Sequence, residues 1–335
     1  MKIFIPHHQL PLNTGTNYAT VEQYFAGQLV DIEPGPEGLQ LHLSWPDYAA
    51  CYVDPDLEHG LAWWRYEMPV RQLPLEWVQR SNYQLSLNDS WTLYAWSQWL
   101  TRRLQEFGLP EEVVILHVDD HRDCMSPLLF RKQGNQYTDA LSNRLVNLLE
   151  PATVQQAIES GAIAVGSFIP PFLHQLPQVQ LRHLLPPHRL ATAFPAGYLA
   201  AVDETDALLC PTGQRPAVEF NSTHPSGRRY LPTAELDEFL AEIPPHAAVL
   251  LHVDMDYFNN RYDGDSEWHH QPAVHNPPAQ VVYEHISEVF SRIVSAIPGA
   301  QLEDITVALS PGFFPAEFWG QGIELVDRIL SPTHD

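Results

Sequence analysis

The chain has 335 residues, enough for one large domain or two small ones, and 44% hydrophobic with 18% charged residues can build a sizeable core. Lys and Arg number 18 against 41 Asp and Glu, a formal charge of −23, which disfavours nucleic acid and anionic membrane as partners and suits a cationic one. Three cysteines, Cys51, Cys124 and Cys210, without CxxC spacing rule out a disulfide framework and a thiolate zinc site and fit a reducing cytoplasm; there is no signal-peptide core and no apolar run of membrane length.

Residues 1–84 read as short strands and turns: IEPGPEG before LQLHLSW, then AACYVDPD, then SNYQLSLND. From Asp89 the pattern changes. WTLYAWSQWLTRRLQEFG (residues 91–108) carries apolar residues at helical spacing, with Asn88, Asp89 and Ser90 as caps and Gly108 as a stop. EEVVILHVD (111–119) is a short β-branched apolar run, a buried strand. TDALSNRLVNLL (138–149) and TVQQAIESG (153–161) predict helices, and AIAVGSFIPP (162–171) a further buried strand. The Pro-, His- and Leu-rich stretch 170–190 reads as an elaborate loop. TAELDEFLAEI (233–243) is helical, HAAVLLHVDMD (246–256) a strand, residues 277–297 a long helix, DITVALSP (304–311) a strand and GIELVDRIL (322–330) a last helix. Strands alternating with helices predict an α/β fold with a mostly parallel central sheet, residues 1–84 forming a strand-rich extension packed on a domain of residues 85–335.

The letters LHVD occur at residues 116–119 and again at 251–254, each time followed by more acid. In parallel sheets the site lies just beyond the carboxyl ends of the strands, which is where both runs put their acids. Asp119, His121 and Asp123 alternate, so an extended strand end turns all three to one face. Asp254 and Asp256 repeat the device. Four carboxylates in one concavity repel one another, and divalent cations resolve the repulsion. Oxygen ligands with one imidazole favour Mn²⁺ over a thiolate-type metal, with Zn²⁺ as the alternative, and two ions sharing Asp119 and Asp254 fit the ligand count. The plain alternative is a solvated acidic loop, the expectation for Asp120. His117 and His252 sit inside their strands and read as core or supporting histidines. His269, His270 and His275 cluster in SEWHHQPAVHNPP; a surface loop or a proton shuttle are the readings, with His270 the candidate donor. DMDYFNNRYDGDSE has the letters of a calcium loop with Gly and Glu at the wrong offsets. Cys124 reads as a packed thiol.

LHVDDHRDCMSP, GAIAVGSFIPPFLHQ, LLHVDMDYF and ITVALSPGFFP together resemble the arginase/deacetylase superfamily, and more closely the peptide arginases that tailor bacterial peptides. The resemblance runs over roughly residues 85–315 in matching order. It implies an arginase/deacetylase-like three-layer fold and a binuclear manganese centre on Asp119, His121, Asp123, Asp254 and Asp256. Arginases carry a further histidine ligand before the first of these motifs, and Asp89 stands in its place here. Capping the following helix is the other role open to Asp89, and His59 in DLEHGLAWW is the rival ligand. The implied reaction is hydrolysis of arginine side chains in a precursor peptide to ornithine and urea. Asp256 would handle a proton, one loop histidine would protonate the leaving amine, and Glu267 is a guess for the carboxylate facing the guanidinium. A one-zinc deacetylase of the same fold and a non-catalytic peptide binder are the alternatives.

Overall fold

The computed structural model describes residues 1–10, 20–22, 24–25, 28–45, 52–133, 136–206, 208–220 and 226–331. Cys51, and part of the strand expected over residues 49–56, lie outside them. Among the described residues the strands, in chain order, are β1 (Lys2–Pro6), β2 (Leu29–Pro34), β3 (Gly38–Ser44), β4 (Trp77–Gln79), β5 (Gln84–Ser86), β6 (Val113–Val118), β7 (Leu129–Arg131), β8 (Gln136–Asp139), β9 (Leu145–Asn147), β10 (Val179–Leu184), β11 (Gly197–Thr205), β12 (Gln214–Phe220), β13 (Arg228–Thr233), β14 (Ala248–Asp254) and β15 (Leu302–Ala308). The described helices are α1 (Leu57–Trp64), α2 (Trp91–Glu106), α3 (Pro151–Ser160), α4 (Ile169–Leu173), α5 (Pro187–Leu190), α6 (Leu236–Leu240), α7 (Ala279–Ala296) and α8 (Trp319–Leu330).

A nine-stranded sheet in the order β12-β11-β13-β10-β6-β14-β15-β5-β4 forms the centre. It is mixed rather than mostly parallel. β13, β10, β6, β14, β15 and β5 are parallel neighbours, whereas β11, β12 and β4 add antiparallel pairs at the two edges. Both faces are covered, which is why β6 and β14 are apolar runs rather than alternating ones. Val113 and Ile115 join one buried cluster, with Trp96 and Trp99 of α2, Ile158 of α3 and Phe172 of α4. Val114, Leu116 and Val118 join another, with Leu61 of α1, Phe239 of α6, Phe290 of α7 and Trp319 of α8. The result is three layers, helix on sheet on helix.

The expected boundary at residue 84 falls inside β5, so residues 77–86 belong to the central sheet. The small antiparallel sheet β1-β3-β2 packs Ile5, Leu39 and Leu41 into the first cluster. Among the described residues no helix is long and apolar enough to cross a membrane.

Three local expectations fail, each for an identifiable reason. The helix expected over 138–149 is a hairpin of β8 and β9. Asp139 Oδ1 accepts from the Leu141 and Ser142 amides, and Asn143 takes a φ of 59°, so the chain turns instead of winding. The strand expected over 162–171 is irregular up to α4, with a turn at Gly166, whose φ is 72°. The stretch 170–190, read as a loop, holds β10, which pairs in parallel with both β6 and β13.

Candidate metal centre

The register of the sheet brings the two LHVD runs together. His252 lies beside His117 and Val253 beside Val118, so the Asp119 and Asp254 ends emerge side by side. On the far side of β14, Asp254 is in line with Ala308 of β15, and Ala308 with Ser86 of β5. Asp89 and Ser310 follow those two strand ends within three residues. The sequence-predicted residues Asp89, Asp119, Asp123, Asp254 and Asp256 are all buried at this one edge, with the half-exposed His121 beside them. Asp89, His121, Asp123, Asp254 and Asp256 line a cleft of about 760 Å³.

The hydrogen bonds account for part of this acid and leave part unpaired. Asp119 Oδ1 accepts from the His121 amide at 2.6 Å. Asp254 Oδ1 accepts from the Asp256 amide at 3.2 Å, and Asp254 Oδ2 from the Ser310 hydroxyl. Asp89 Oδ2 accepts from the Gly166 amide at 2.7 Å. No side chain caps α2, so the capping role expected around Asp89 is not made. His121 Nδ1 lies 2.9 Å from Asp256 Oδ2, and His121 Nε2 3.2 Å from Asp263 Oδ1. Yet Asp89 Oδ1, Asp119 Oδ2 and Asp123 Oδ2 are buried and accept nothing among the described residues. A buried unpaired carboxylate oxygen is unfavourable as a free anion, and neighbouring carboxylates relieve their repulsion by taking up a proton or a cation.

The protonation states agree. Burial, then the Asp123 charge, holds Asp89 and Asp119 well above the usual carboxylate range. Asp254 is raised by burial and by Asp256. Burial pushes Asp123 up to about 6. His121 moves the other way from an ordinary buried histidine. Burial opposes its charge, but Asp256 and Asp263 hold its pKa well above the ordinary value. Two backbone positions hold the geometry: Asp123 at φ 50° and Ser310 at φ 43° sit in the left-handed region that non-glycine residues enter rarely.

Behind the acids runs a row of histidines across three strands. His183, His117 and His252 pair in register on β10, β6 and β14. Burial pushes His117 down to about 3 and lowers the other two, so all are neutral. His183 Nε2 reaches the Asp119 carbonyl at 3.1 Å and His117 Nε2 the His121 carbonyl at 3.1 Å. They brace the strand ends from below. One ligand atom each from His117, Asp119, Asp123 and His252 lies within 4.8 Å of the others, and the same holds for Asp119, His121 and Asp256. Buried His and Asp groups therefore stand within metal-binding distance.

Other expectations are corrected by placement. Asp120, read as solvated, is buried; its Oδ2 accepts from Arg189 Nε at 2.8 Å and Asn260 Nδ2 at 2.6 Å. The His270 side chain is 82% exposed, paired 3.6 Å from Glu267, and neither residue lines the cleft. His59 is exposed on α1, away from the acids. His275 is buried. Cys124 lines the cleft, with its thiol raised by burial, as a packed thiol should be. Sequence reading missed Asp263, Ser310 and Gly166. Asp263 sits in the acidic stretch set aside as a poor calcium loop, and only its contact with His121 marks it.

The chain is thus a mixed α/β protein with an acidic, histidine-bearing centre at the strand ends. No protein-family model matches it, and no curated protein does.

Proposed function

We propose that the chain is a manganese-dependent hydrolase of the ureohydrolase type, with an arginase/deacetylase-like fold, that converts arginine side chains of a precursor peptide to ornithine and urea. The observation that carries this reading is the convergence of five buried carboxylates and His121 at one strand edge with three carboxylate oxygens unpaired. Asp89, Asp119, His121, Asp123, Asp254 and Asp256 would hold the ions. This oxygen-rich set exceeds the three ligands a one-zinc deacetylase needs. When bound, a pair of Mn²⁺ ions would lower the pKa of water and so supply a nucleophile near neutral pH.

The chain's own groups do the rest. Water adds to the guanidinium carbon, the bond to the side-chain nitrogen breaks, and the leaving amine takes a proton. Asp256, lining the cleft against His121 Nδ1, takes up the proton lost by water and returns it to the leaving amine. Asp263 fixes the orientation of His121 through Nε2. The cleft wall already accommodates one guanidinium: Arg122 stacks 4.4 Å over Phe194, whose ring lies 4.7 Å from Phe220. Glu219, also on the wall, takes the place expected of Glu267 in facing a cationic side chain. The formal net charge of −23 favours a basic peptide.

Incubation of Arg-containing peptides with the Mn²⁺-loaded protein tests this. Expected is urea release with a loss of about 42 mass units per arginine, the CH₂N₂ of the guanidine. No mass loss on any peptide, with free arginine also untouched, refutes it.

A further inference from the structure

A second group of ligand-type side chains adjoins the centre, and none of them is among the residues proposed to hold its ions. Asp120 at the end of β6, His188 on α5 and His275 on the 3₁₀ turn Ala273–His275 each offer a ligand atom, all within 4.8 Å of one another. His188 Nε2 is 3.6 Å from Asp120 Oδ1, and the His188 and His275 rings are 4.4 Å apart. Asp120 is 4% exposed and His275 8%. Asp120 Oδ1, His188 Nε2 and His275 Nδ1 are buried, and none has a hydrogen-bond partner among the described residues. Buried polar atoms in native proteins are nearly always paired, so three orphans in one cluster ask for a shared partner.

We propose that Asp120, His188 and His275 form a further divalent-metal site of the zinc type, separate from the Asp119–Asp254 centre. Two imidazoles and a carboxylate are a ligand set that Zn²⁺ takes with a fourth position left to water. Bonds of about 2.0–2.1 Å put tetrahedral ligand atoms about 3.3 Å apart, so a small side-chain adjustment closes the His188–Asp120 gap. Asp120 is braced for the role, because Arg189 and Asn260 hold its other oxygen, as outer partners hold a ligating carboxylate. The Arg189 charge opposes a cation here. Asp263 Oδ1, 3.0 Å from Arg189 Nη2, offsets it. The three ligands come from three separate segments. An ion joining them ties the stretch after β10, which carries Arg189 and Phe194 of the cleft wall, to the stretch after β14. It would act as a staple for that wall. The proposal does not rest on the hydrolase reading.

The test uses the full chain with Asp254→Asn, which removes the carboxylate proposed to be shared by the two ions of the main centre and leaves the cluster intact. ZnCl₂ is titrated into the EDTA-stripped protein by calorimetry, with bound metal counted by elemental analysis. One Zn²⁺ per chain that depends on His188 and His275 is expected. His188→Asn and His275→Gln in the same background should each weaken binding at least tenfold while keeping the far-ultraviolet circular dichroism. CoCl₂ supplies a second readout: the Asp254→Asn protein should show the visible absorption of a four-coordinate Co²⁺ site, lost in both histidine variants. A folded Asp254→Asn protein that binds no Zn²⁺ and shows no such bands overturns the proposal. So do histidine variants with unchanged affinity and spectrum.

Discussion

Asp123→Asn should stabilise the metal-free protein and weaken the metal-loaded one. Asp123 is buried, and burial pushes its carboxyl from 3.8 up to about 6, although the neighbouring Asp119 carboxyl and the charge of His121 pull it down. The folded value exceeds the unfolded one, so the folded state binds the proton more tightly. The resulting penalty is absent below about pH 4, grows as pH rises, and is complete above about pH 6. A gap of about 2 units at about 1.4 kcal/mol each makes it about 3 kcal/mol. Asparagine carries no charge, matches the shape, and tolerates the left-handed φ of 50° at this position. Unfolding entropy of roughly 2.1 cal/mol/K per residue gives about 0.7 kcal/mol per degree for this chain, so the variant should melt about 4 °C higher in EDTA at pH 7.5. At pH 4 the difference should vanish. With Mn²⁺ at a hundred times its Kd, the wild type should gain about 2.7 kcal/mol per ion, again about 4 °C, and the variant much less. Thermal melts followed by circular dichroism, with and without metal, read both signs. A variant less stable than wild type in EDTA at pH 7.5, or an equal Mn²⁺ shift in both proteins, refutes the reasoning.

Two further outcomes follow from the same geometry. Asp304 on β15 has a buried, unpaired Oδ2, and burial raises its carboxyl to about 7 against the pull of Arg102. Its penalty therefore builds as pH rises from about 4 and is complete above about 7. Asp304→Asn should resist urea better than wild type at pH 8 and equally at pH 4. In the peptide assay, His121→Ala should abolish turnover and lower metal content, whereas His270→Ala, altering an exposed side chain outside the cleft, should leave turnover unchanged; normal turnover in the first variant would remove His121 from the centre.

The sequence alone located the acids. The two LHVD runs announce strands buried on both faces, because a strand covered on both sides has no reason to alternate. Their alternating acids announce a shared face at the strand ends. Those inferences rest on local periodicity, which the backbone fixes within a few residues. Asp89 carries no such local signal; its side chain lines the cleft and accepts from the Gly166 amide.

The rest required the tertiary structure. β10 looked like loop because prolines bracket it and a single apolar hexapeptide carries little signal; its place between β6 and β13 comes from pairing with distant segments. Residues 138–149 have helical spacing, but the Asp139 side chain captures the turn amides first. Asp120, Asp263, His188 and His275 gain meaning only through neighbours between 68 and 155 residues away in sequence. No window of sequence contains such a pair, and the register that aligns His252 with His117 is set by the packing of both sheet faces rather than by any letter in either strand.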